Sequence, residues 1–323
     1  MKLSIIIVSW NVKDDLAVCL RSIYENRPHE QFEVIVVDNA SKDGTVETLK
    51  SDFPQVRIIA NDDNRGFSGA NNQGIEIAEG EYLFLLNPDT IVHRNSLDNL
   101  IKIFDENPRV GACGPKILTG EGEIQASVGG LPTFRATLYR YTFLRPLGIF
   151  RKHYKGLSVE KSEYDKQMNV ELLSGAAIMV RRSVIEQVGP MDEAFFMYAE
   201  EGDLCLRIRK GGWTLLYVPE SVITHLQGRS AARLSSANRQ YILYSSLLLY
   251  FRKHRGGLTT RLFALIFKPA VIIRNIVNVF SCTVKYLFYV LLSDKRRKSK
   301  ALAKLENSLV FLGRYSWRFL FNA

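Results

Sequence analysis

At 323 residues, with 46% hydrophobic and 24% charged residues, the chain has a globular composition and room for one large α/β domain plus an appendage. A formal net charge of +10 favours anionic partners, nucleotide phosphates or anionic lipid. Nucleic acid is disfavoured, because the basic residues gather beside apolar helices without an RNA-binding aromatic motif. Four cysteines (Cys19, Cys113, Cys205, Cys282) lack CxxC spacing, which argues against a disulfide framework or a thiolate metal cage.

Leu3 to Trp10 is a β-branched apolar run, a buried first strand too short for a signal peptide; the catalytic part is expected to stay in the cytoplasm. Leu16, Leu20 and Ile23 place a helix over Asp14 to Tyr24. A second strand, Val34 to Val37, closes on the turn-rich loop Asp38 to Thr45, with Thr45 able to cap a helix through Leu49. Val56 to Ala60 is a third strand, Asn61 to Gly69 a polar loop, and Ala70 to Ala78 a helix. This alternation predicts βαβ units and a parallel sheet. No GxGxxG follows the first strand, which removes the main support for a dinucleotide oxidoreductase.

Tyr82 to Leu86 reads as a strand buried on both faces, ending in Asn87-Pro88-Asp89. Ligands bind beyond the carboxyl ends of such strands, and Pro88 stops the ladder. Two oxygen-bearing side chains one residue apart suit a hard divalent cation held with phosphates; the alternative is a strand-to-helix turn capped by Asp89. Ser96 to Phe104 is a further helix and Val110 to Leu118 a strand, after which the pattern weakens over residues 119–168, read as a variable insertion. Order resumes over Val170 to Val180. Phe195-Phe196-Met197-Tyr198 then precedes Glu200, Glu201 and Asp203 at the start of a helix. Those carboxylates suit the helix dipole, but Glu201 beside aromatics is also the setting of a general base. Trp213 to Val218 is the last clear strand, and His225 lies beyond it as a structural histidine or a ligand.

In order, the motifs SIIIVSWN (Ser4 to Asn11), VDNASKDGT (Val37 to Thr45), NRGFSGANNQGI (Asn64 to Ile75), LLNPDT (Leu85 to Thr90), LSGAAIMVRR (Leu173 to Arg182) and FFMYAEEGDLCLR (Phe195 to Arg207), with His225, resemble the family-2 inverting glycosyltransferases of GT-A fold, most closely the rhamnosyltransferase-like branch. The resemblance implies a metal-dependent transfer from a nucleotide-sugar donor to a lipid-linked or polysaccharide acceptor. Ser9, Asp38 and Asp43 would hold the nucleotide, with Asn64, Arg65 and Gly66 in the loop that approaches it. Asn87, Asp89 and His225 would hold Mg²⁺ or Mn²⁺, Glu201 would deprotonate the acceptor hydroxyl, and Asp203 would orient the acceptor or brace the helix. Two positions depart from the commoner pattern. Asn87 stands where many relatives carry Asp, and Glu201 where Asp is commoner. The Asn-Pro-Asp variant favours a deoxysugar donor such as dTDP-rhamnose. A sugar nucleotidyltransferase would want a glycine- and lysine-rich loop after the first strand, which Asn11 to Asp15 does not supply; the non-enzyme alternative is a nucleotide-sugar-binding scaffold.

The glycosyltransferase domain is thus expected over residues 1–230 and a helical membrane-association region over 231–323. Arg229, Arg233 and Arg239 are basic groups able to reach a diphosphate. Ala237 to Arg255 reads as a helix, and Val271 to Leu292 is long enough to span a bilayer. Arg274, Asn278, Ser281 and Lys285 nevertheless form one polar stripe, and a basic run follows from Lys295 to Lys300. These features predict an interfacial anchor on the cytoplasmic membrane face, with a spanning helix or a homodimer interface as the alternatives.

Overall fold

Alternation along the first strand sets the architecture. Leu3, Ile5 and Ile7 enter one buried cluster with Leu16, Leu20, Leu100 and Phe104; Ile6 enters another with Ile35, Val37, Leu204 and Ile208. A strand buried on both faces needs helices on both sides. The structure, a computed structural model, describes residues 1–226 and 234–322. It divides into one unit of Met1–Leu131 with Ser158–Arg233 and another of Pro132–Leu157 with Leu234–Ala323.

In the first unit the chain runs β1 (Leu3–Ser9), α1 (Lys13–Glu25), β2 (Phe32–Asp38), α2 (Thr45–Asp52), β3 (Arg57–Ala60), α3 (Gly66–Ile77), β4 (Tyr82–Leu86), β5 (Thr90–Val92), α4 (Ser96–Glu106), β6 (Val110–Leu118) and β7 (Val128–Gly129). In the second unit α5 (Phe134–Tyr141) and α6 (Arg151–Lys155) follow. The first unit resumes with β8 (Met168–Asn169), β9 (Leu172–Leu173), β10 (Ala177–Arg181), α7 (Arg182–Val188), α8 (Glu200–Lys210) and β11 (Thr214–His225). Among the described residues the main sheet has nine strands, in the order β3-β2-β1-β4-β10-β6-β11-β5, with β8 beside β11. The ladder from β3 to β4 is parallel, and β10 lies antiparallel between β4 and β6. This is the mostly parallel, helix-flanked sheet that the sequence predicts.

Three boundaries differ from expectation. Helix α3 starts at Gly66 rather than Ala70, because the polar loop before it is tied down by side-chain hydrogen bonds and winds directly into the helix. Strand β11 continues through Pro219 to His225; a register shift between Val218 and Val222 accommodates the proline. The run over Val170 to Val180 breaks into β9 and β10 at a turn over residues 174–176.

The second unit holds α9 (Ser236–Arg255), α10 (Gly257–Leu291), α11 (Lys295–Val310), a π-helical turn (Phe311–Tyr315) and α12 (Ser316–Asn322). Residues 132–157, expected as an insertion in the first domain, pack with these helices. Phe134 stacks on Phe263 at 4.5 Å between centroids and meets Phe251 edge-on at the same distance. Helix α10 is long and apolar enough to cross a membrane by length and composition, and only 28% of its most apolar window is buried. Of its polar stripe, Arg274 turns inward, donating to the Tyr141 carbonyl at 2.9 Å and the Tyr244 hydroxyl at 3.1 Å, whereas Lys285 is exposed, as is much of the apolar surface of the helix.

Gly74 lets α3 lie close on the sheet: a Cβ there would sit 2.4 Å from Ile6 Cγ2. Overpacking costs about 1–3 kcal/mol and the helix propensity of Ala returns up to about 1, so Gly74→Ala is expected to lose about 1–2 kcal/mol in denaturant unfolding. Ile6→Leu removes the clashing branch methyl, so the double variant should lose less than the two single losses combined. Strict additivity would place the clash elsewhere.

Candidate active site

The loops after β1 and β2 are laced together. Asn11, at φ 54°, receives Lys42 N–H on Oδ1 at 2.7 Å and donates its own N–H to Ser41 Oγ at 2.8 Å. Asp43 accepts Lys13 N–H at 3.0 Å and the Thr45 hydroxyl at 2.5 Å. Burial opposes the charge on Asp43, but the bonds from Thr45 and Lys13 outweigh it and hold the carboxyl below its usual range. Asp43 therefore joins the two loops and starts α1, and Thr45 serves it rather than capping α2.

Ser9 and Asp38 are register partners at the carboxyl ends of β1 and β2. Both are buried, and Ser9 Oγ and Asp38 Oδ1 have no hydrogen-bond partner among the described residues. The other Asp38 oxygen accepts Ser41 N–H at 3.0 Å. Burial pushes the Asp38 carboxyl above its ordinary value. Orphaned buried polar atoms cost about 1–3 kcal/mol each, and here they form an acceptor and a hydroxyl available to a ligand's N–H or O–H.

Asn39, to which the sequence analysis assigns no role, ties the loop before α3 together. Its Oδ1 accepts Arg65 N–H at 3.0 Å and Asn61 Nδ2 at 3.2 Å, and its Nδ2 donates to Asn64 Oδ1 at 2.9 Å and the Gly66 carbonyl at 3.1 Å. Asn64 in turn accepts Gly66 N–H at 2.9 Å. Gly66 has φ +74°, and a Cβ there would lie 2.6 Å from the Phe196 carbonyl oxygen, which also accepts Phe67 N–H at 2.7 Å. Only glycine fits that approach. Arg65 is exposed and lies 3.7 Å from Asp63. The signal for Asn39 was its place among the turn formers after β2.

Asn87, Asp89 and His225 converge. His225 pairs with Thr90 across β11 and β5, and Leu226 N–H bonds the Asp89 carbonyl at 2.8 Å. His225 Nε2 is 3.2 Å from Asp89 Oδ1 and 3.4 Å from Asn87 Nδ2. On the other side, Nδ1 is 3.2 Å from Gln125 Oε1, which only accepts; with a hydrogen on Nδ1 alone, Nε2 would offer its lone pair to a ligand. Gln125, in the stretch read as insertion, was not foreseen. Asp89 Oδ1 and His225 Nε2 thus face each other at 3.2 Å. A carboxylate and an imidazole, with an amide whose oxygen would face the ion once the amide is turned, fit Mn²⁺ or Mg²⁺. No group of three His, Cys, Asp or Glu residues could hold a metal ion among the described residues; the third member here is an amide.

Tyr198 and Ala199 enter α8 in left-handed backbone, at φ 72° and 67°. Each costs roughly 1–2 kcal/mol, held by the surrounding packing. The distortion turns Glu200 and Glu201 inward. Oε2 of each is buried without a hydrogen-bond partner among the described residues. Burial first, then the neighbouring Glu201 charge, pushes Glu200 well above the usual carboxyl range; burial also raises Glu201, against backbone N–H groups at the helix start. Asp203 is fully buried and accepts Arg207 Nε at 2.8 Å, while Arg207 also donates to the carbonyls of Val188, Gly189 and Pro190. Asp203 is thus a brace within the fold.

The turn over residues 174–176 joins the Asn87–Asp89 side to the Glu201 side. Asn87 N–H donates to the Ala176 carbonyl at 2.9 Å, and a Cβ on Gly175 would lie 3.5 Å from Glu201 Cβ and 3.9 Å from the Phe67 ring. The structure therefore gathers Ser9, Asp38, Asn64, Gly66, Asn87, Asp89, His225 and Glu201 at one end of the sheet. Arg229, and Arg233 beside it, lie outside the described residues.

Residues 4–189 match the family "Glycosyl transferase family 2". The chain is similar to an N-acetylglucosaminyl-diphospho-decaprenol L-rhamnosyltransferase of Mycobacterium tuberculosis, 30% identical over 248 residues, covering 73% of this chain and 78% of the relative. It is also similar to the low-salt glycan biosynthesis hexosyltransferase Agl10 of Haloferax volcanii, 28% identical over 251 residues, covering 76% and 74%. In fold it is similar to the mannosyltransferase PcManGT of Pyrobaculum calidifontis, solved with GDP-Man and Mn²⁺, at TM-score 0.56 and 17% identity over 97% of this chain and 88% of that one. With a family match over more than half its length and a 30% identical relative across most of both chains, the protein belongs to glycosyltransferase family 2 and is a glycosyltransferase of GT-A fold.

Proposed function

We propose that this enzyme transfers a sugar, L-rhamnose from a nucleoside-diphosphate donor being the favoured case, to a lipid-linked or polysaccharide acceptor at the cytoplasmic membrane face, in one inverting displacement with a divalent cation. The observation that carries the reading is Glu201: a half-buried side chain whose Oε2 is buried and has no hydrogen-bond partner among the described residues, next to the turn that holds Asn87. The name of the M. tuberculosis relative supports both rhamnose and a lipid diphosphate acceptor, and the Mn²⁺ in PcManGT supports the cation.

Asp38 and Ser9 bind the nucleoside through their unpartnered atoms, and the Asn39-tied loop carries Arg65 and Gly66 toward it. Glu201 takes the acceptor proton as the acceptor oxygen bonds the anomeric carbon and the bond to the nucleoside diphosphate breaks. Asp203 keeps α8 in place as a positioning residue. Asn87, Asp89 and His225 would hold the cation, which when bound neutralises charge on the leaving diphosphate.

Asp89→Ala is expected to abolish the Mn²⁺-dependent part of the melting-temperature rise caused by nucleoside diphosphate, since Asp89 is the charged member of the Asn87/Asp89 pair. A wild-type, EDTA-sensitive rise in this variant would refute the assignment.

Glu201→Gln should leave donor affinity unchanged and lower turnover by about 10²–10⁴-fold, equivalent to roughly 3–5 kcal/mol of barrier. Its raised pKa predicts that wild-type turnover climbs with pH from the acid side, a limb that Glu201→Gln lacks. Asp203→Asn should chiefly lower stability, by about 1–3 kcal/mol. Glu200→Gln should stay active and change the pH dependence of folding. A carboxyl whose folded pKa is raised contributes stability fully present below its unfolded pKa and lost as pH rises through the folded value. Glu200→Gln should therefore lose less stability than wild type between pH 4 and pH 8 in urea titrations. An inactive Asp203→Asn beside a near-normal Glu201→Gln would reverse the roles.

A further inference from the structure

Within the second unit, α9, α10 and Leu320 of α12 enclose a cleft of about 820 Å³. That is the size of a small-molecule site. Its walls are largely apolar, Leu265 among them, yet Arg252, Arg261 and Lys268 line it together. Arg252 and Arg261 are exposed and have no acidic partner among the described residues. Lys268 donates to the Leu320 carbonyl at 3.0 Å. Thr260 lines the same cleft, 6% exposed, and its hydroxyl has no hydrogen-bond partner among the described residues; Ser245 Oγ, also in the lining, is buried and likewise unpartnered.

The cleft opens onto the exposed apolar face of α10. Leu258, Leu262, Leu265, Ile266, Ile273 and Ile276 begin a helical stripe that continues through Phe280, Val284, Leu287 and Leu291, all exposed. Contiguous apolar surface of this extent marks a contact with membrane or protein. Charge separates the two. Gly257–Leu291 contains no Asp or Glu, and α9 ends in Arg252-Lys253-His254-Arg255. A second copy of this chain meeting the face through a two-fold axis would set like charges against each other, whereas an anionic lipid neutralises them.

We propose that this cleft binds an anionic phospholipid, with Arg252, Arg261 and Lys268 holding the phosphate, the Thr260 and Ser245 hydroxyls donating to its oxygens or its ester carbonyls, and the acyl chains running onto the exposed face of α10. The site lies within the second unit and does not depend on the donor or acceptor assigned above. Free phosphate would satisfy the cations but not the apolar walls.

The test uses the full chain, stripped of lipid in detergent and then incubated with vesicles of phosphatidylcholine alone or with about 20 mol% phosphatidylglycerol, a content sufficient to set a negative surface potential. Native mass spectrometry reads the phosphatidylglycerol retained. Retention is expected to fall by about tenfold or more in Arg252→Gln/Arg261→Gln, on the scale of two lost surface cations. Ala264→Phe, which fills the cleft and keeps every charge, should reduce it too. Lys50→Gln/Lys210→Gln, an equal charge loss on exposed residues of the first unit, should retain lipid as wild type does. Four results would overturn the proposal: equal loss in the cleft and first-unit variants, wild-type retention in both cleft variants, displacement of the lipid by equimolar inorganic phosphate, or a lipid-free dimer as the species that covers α10.

Discussion

The hydrogen bond from Asn87 N–H to the Ala176 carbonyl, 2.9 Å long, holds the site in one register. It closes the antiparallel β4–β10 ladder one residue beyond the Leu86–Ala177 pair. Pro88, with no N–H, cannot extend it. The chain therefore leaves the sheet there, and Asp89 comes to lie 3.2 Å from His225. On the other strand the same bond fixes the turn over residues 174–176, against which Glu201 and Phe67 rest. One backbone bond at the sheet's edge thus joins the Asn87–Asp89 turn to the turn against which Glu201 packs.

Strain and burial meet at α8. A helix that begins with three carboxylates has a favourable dipole, and that alone would leave them in water. The left-handed Tyr198 and Ala199 turn the first two inward, where burial favours their neutral form. Asp203, one turn on, is paired with Arg207, so the acids of one helical turn hold two different environments. Removing the partner of a buried charge is strongly destabilising, which suits Asp203 to a structural task. Glu201, with an unpartnered oxygen, is suited to exchange a proton.

Much of this was legible in the chain, and the reasons are physical. Short apolar runs ending in Asp38 and in Asn87-Pro88-Asp89 mark carboxyl ends of buried strands, and these residues do meet at one end of the sheet. His225 could be singled out but not placed, because its strand passes through Pro219 on a bulge that no period-2 pattern announces. Asn39 and Gln125 escaped notice since their work is hydrogen bonding to backbone or to another side chain, and amides in loops carry no distinctive spacing. The stretch over residues 132–157 looked like an insertion because its partners lie more than a hundred residues away, where Phe134 packs on Phe251 and Phe263. The polar stripe of α10 was visible, but a stripe does not say which side is covered. Arg274, bonded to Tyr141 and Tyr244, is drawn inward at one end of the stripe, while Lys285 at the other end stays exposed.

The central claim is a single displacement with Glu201 as the only carboxylate that takes part covalently or by proton transfer, and the stereochemistry of the product tests it most directly. Proton NMR of the first-formed sugar, recorded during transfer or donor hydrolysis before mutarotation, reports the anomeric configuration. Inversion relative to the donor is the expected result. Retention would mean a double displacement or attack from the leaving-group face, and either would contradict the role assigned to Glu201.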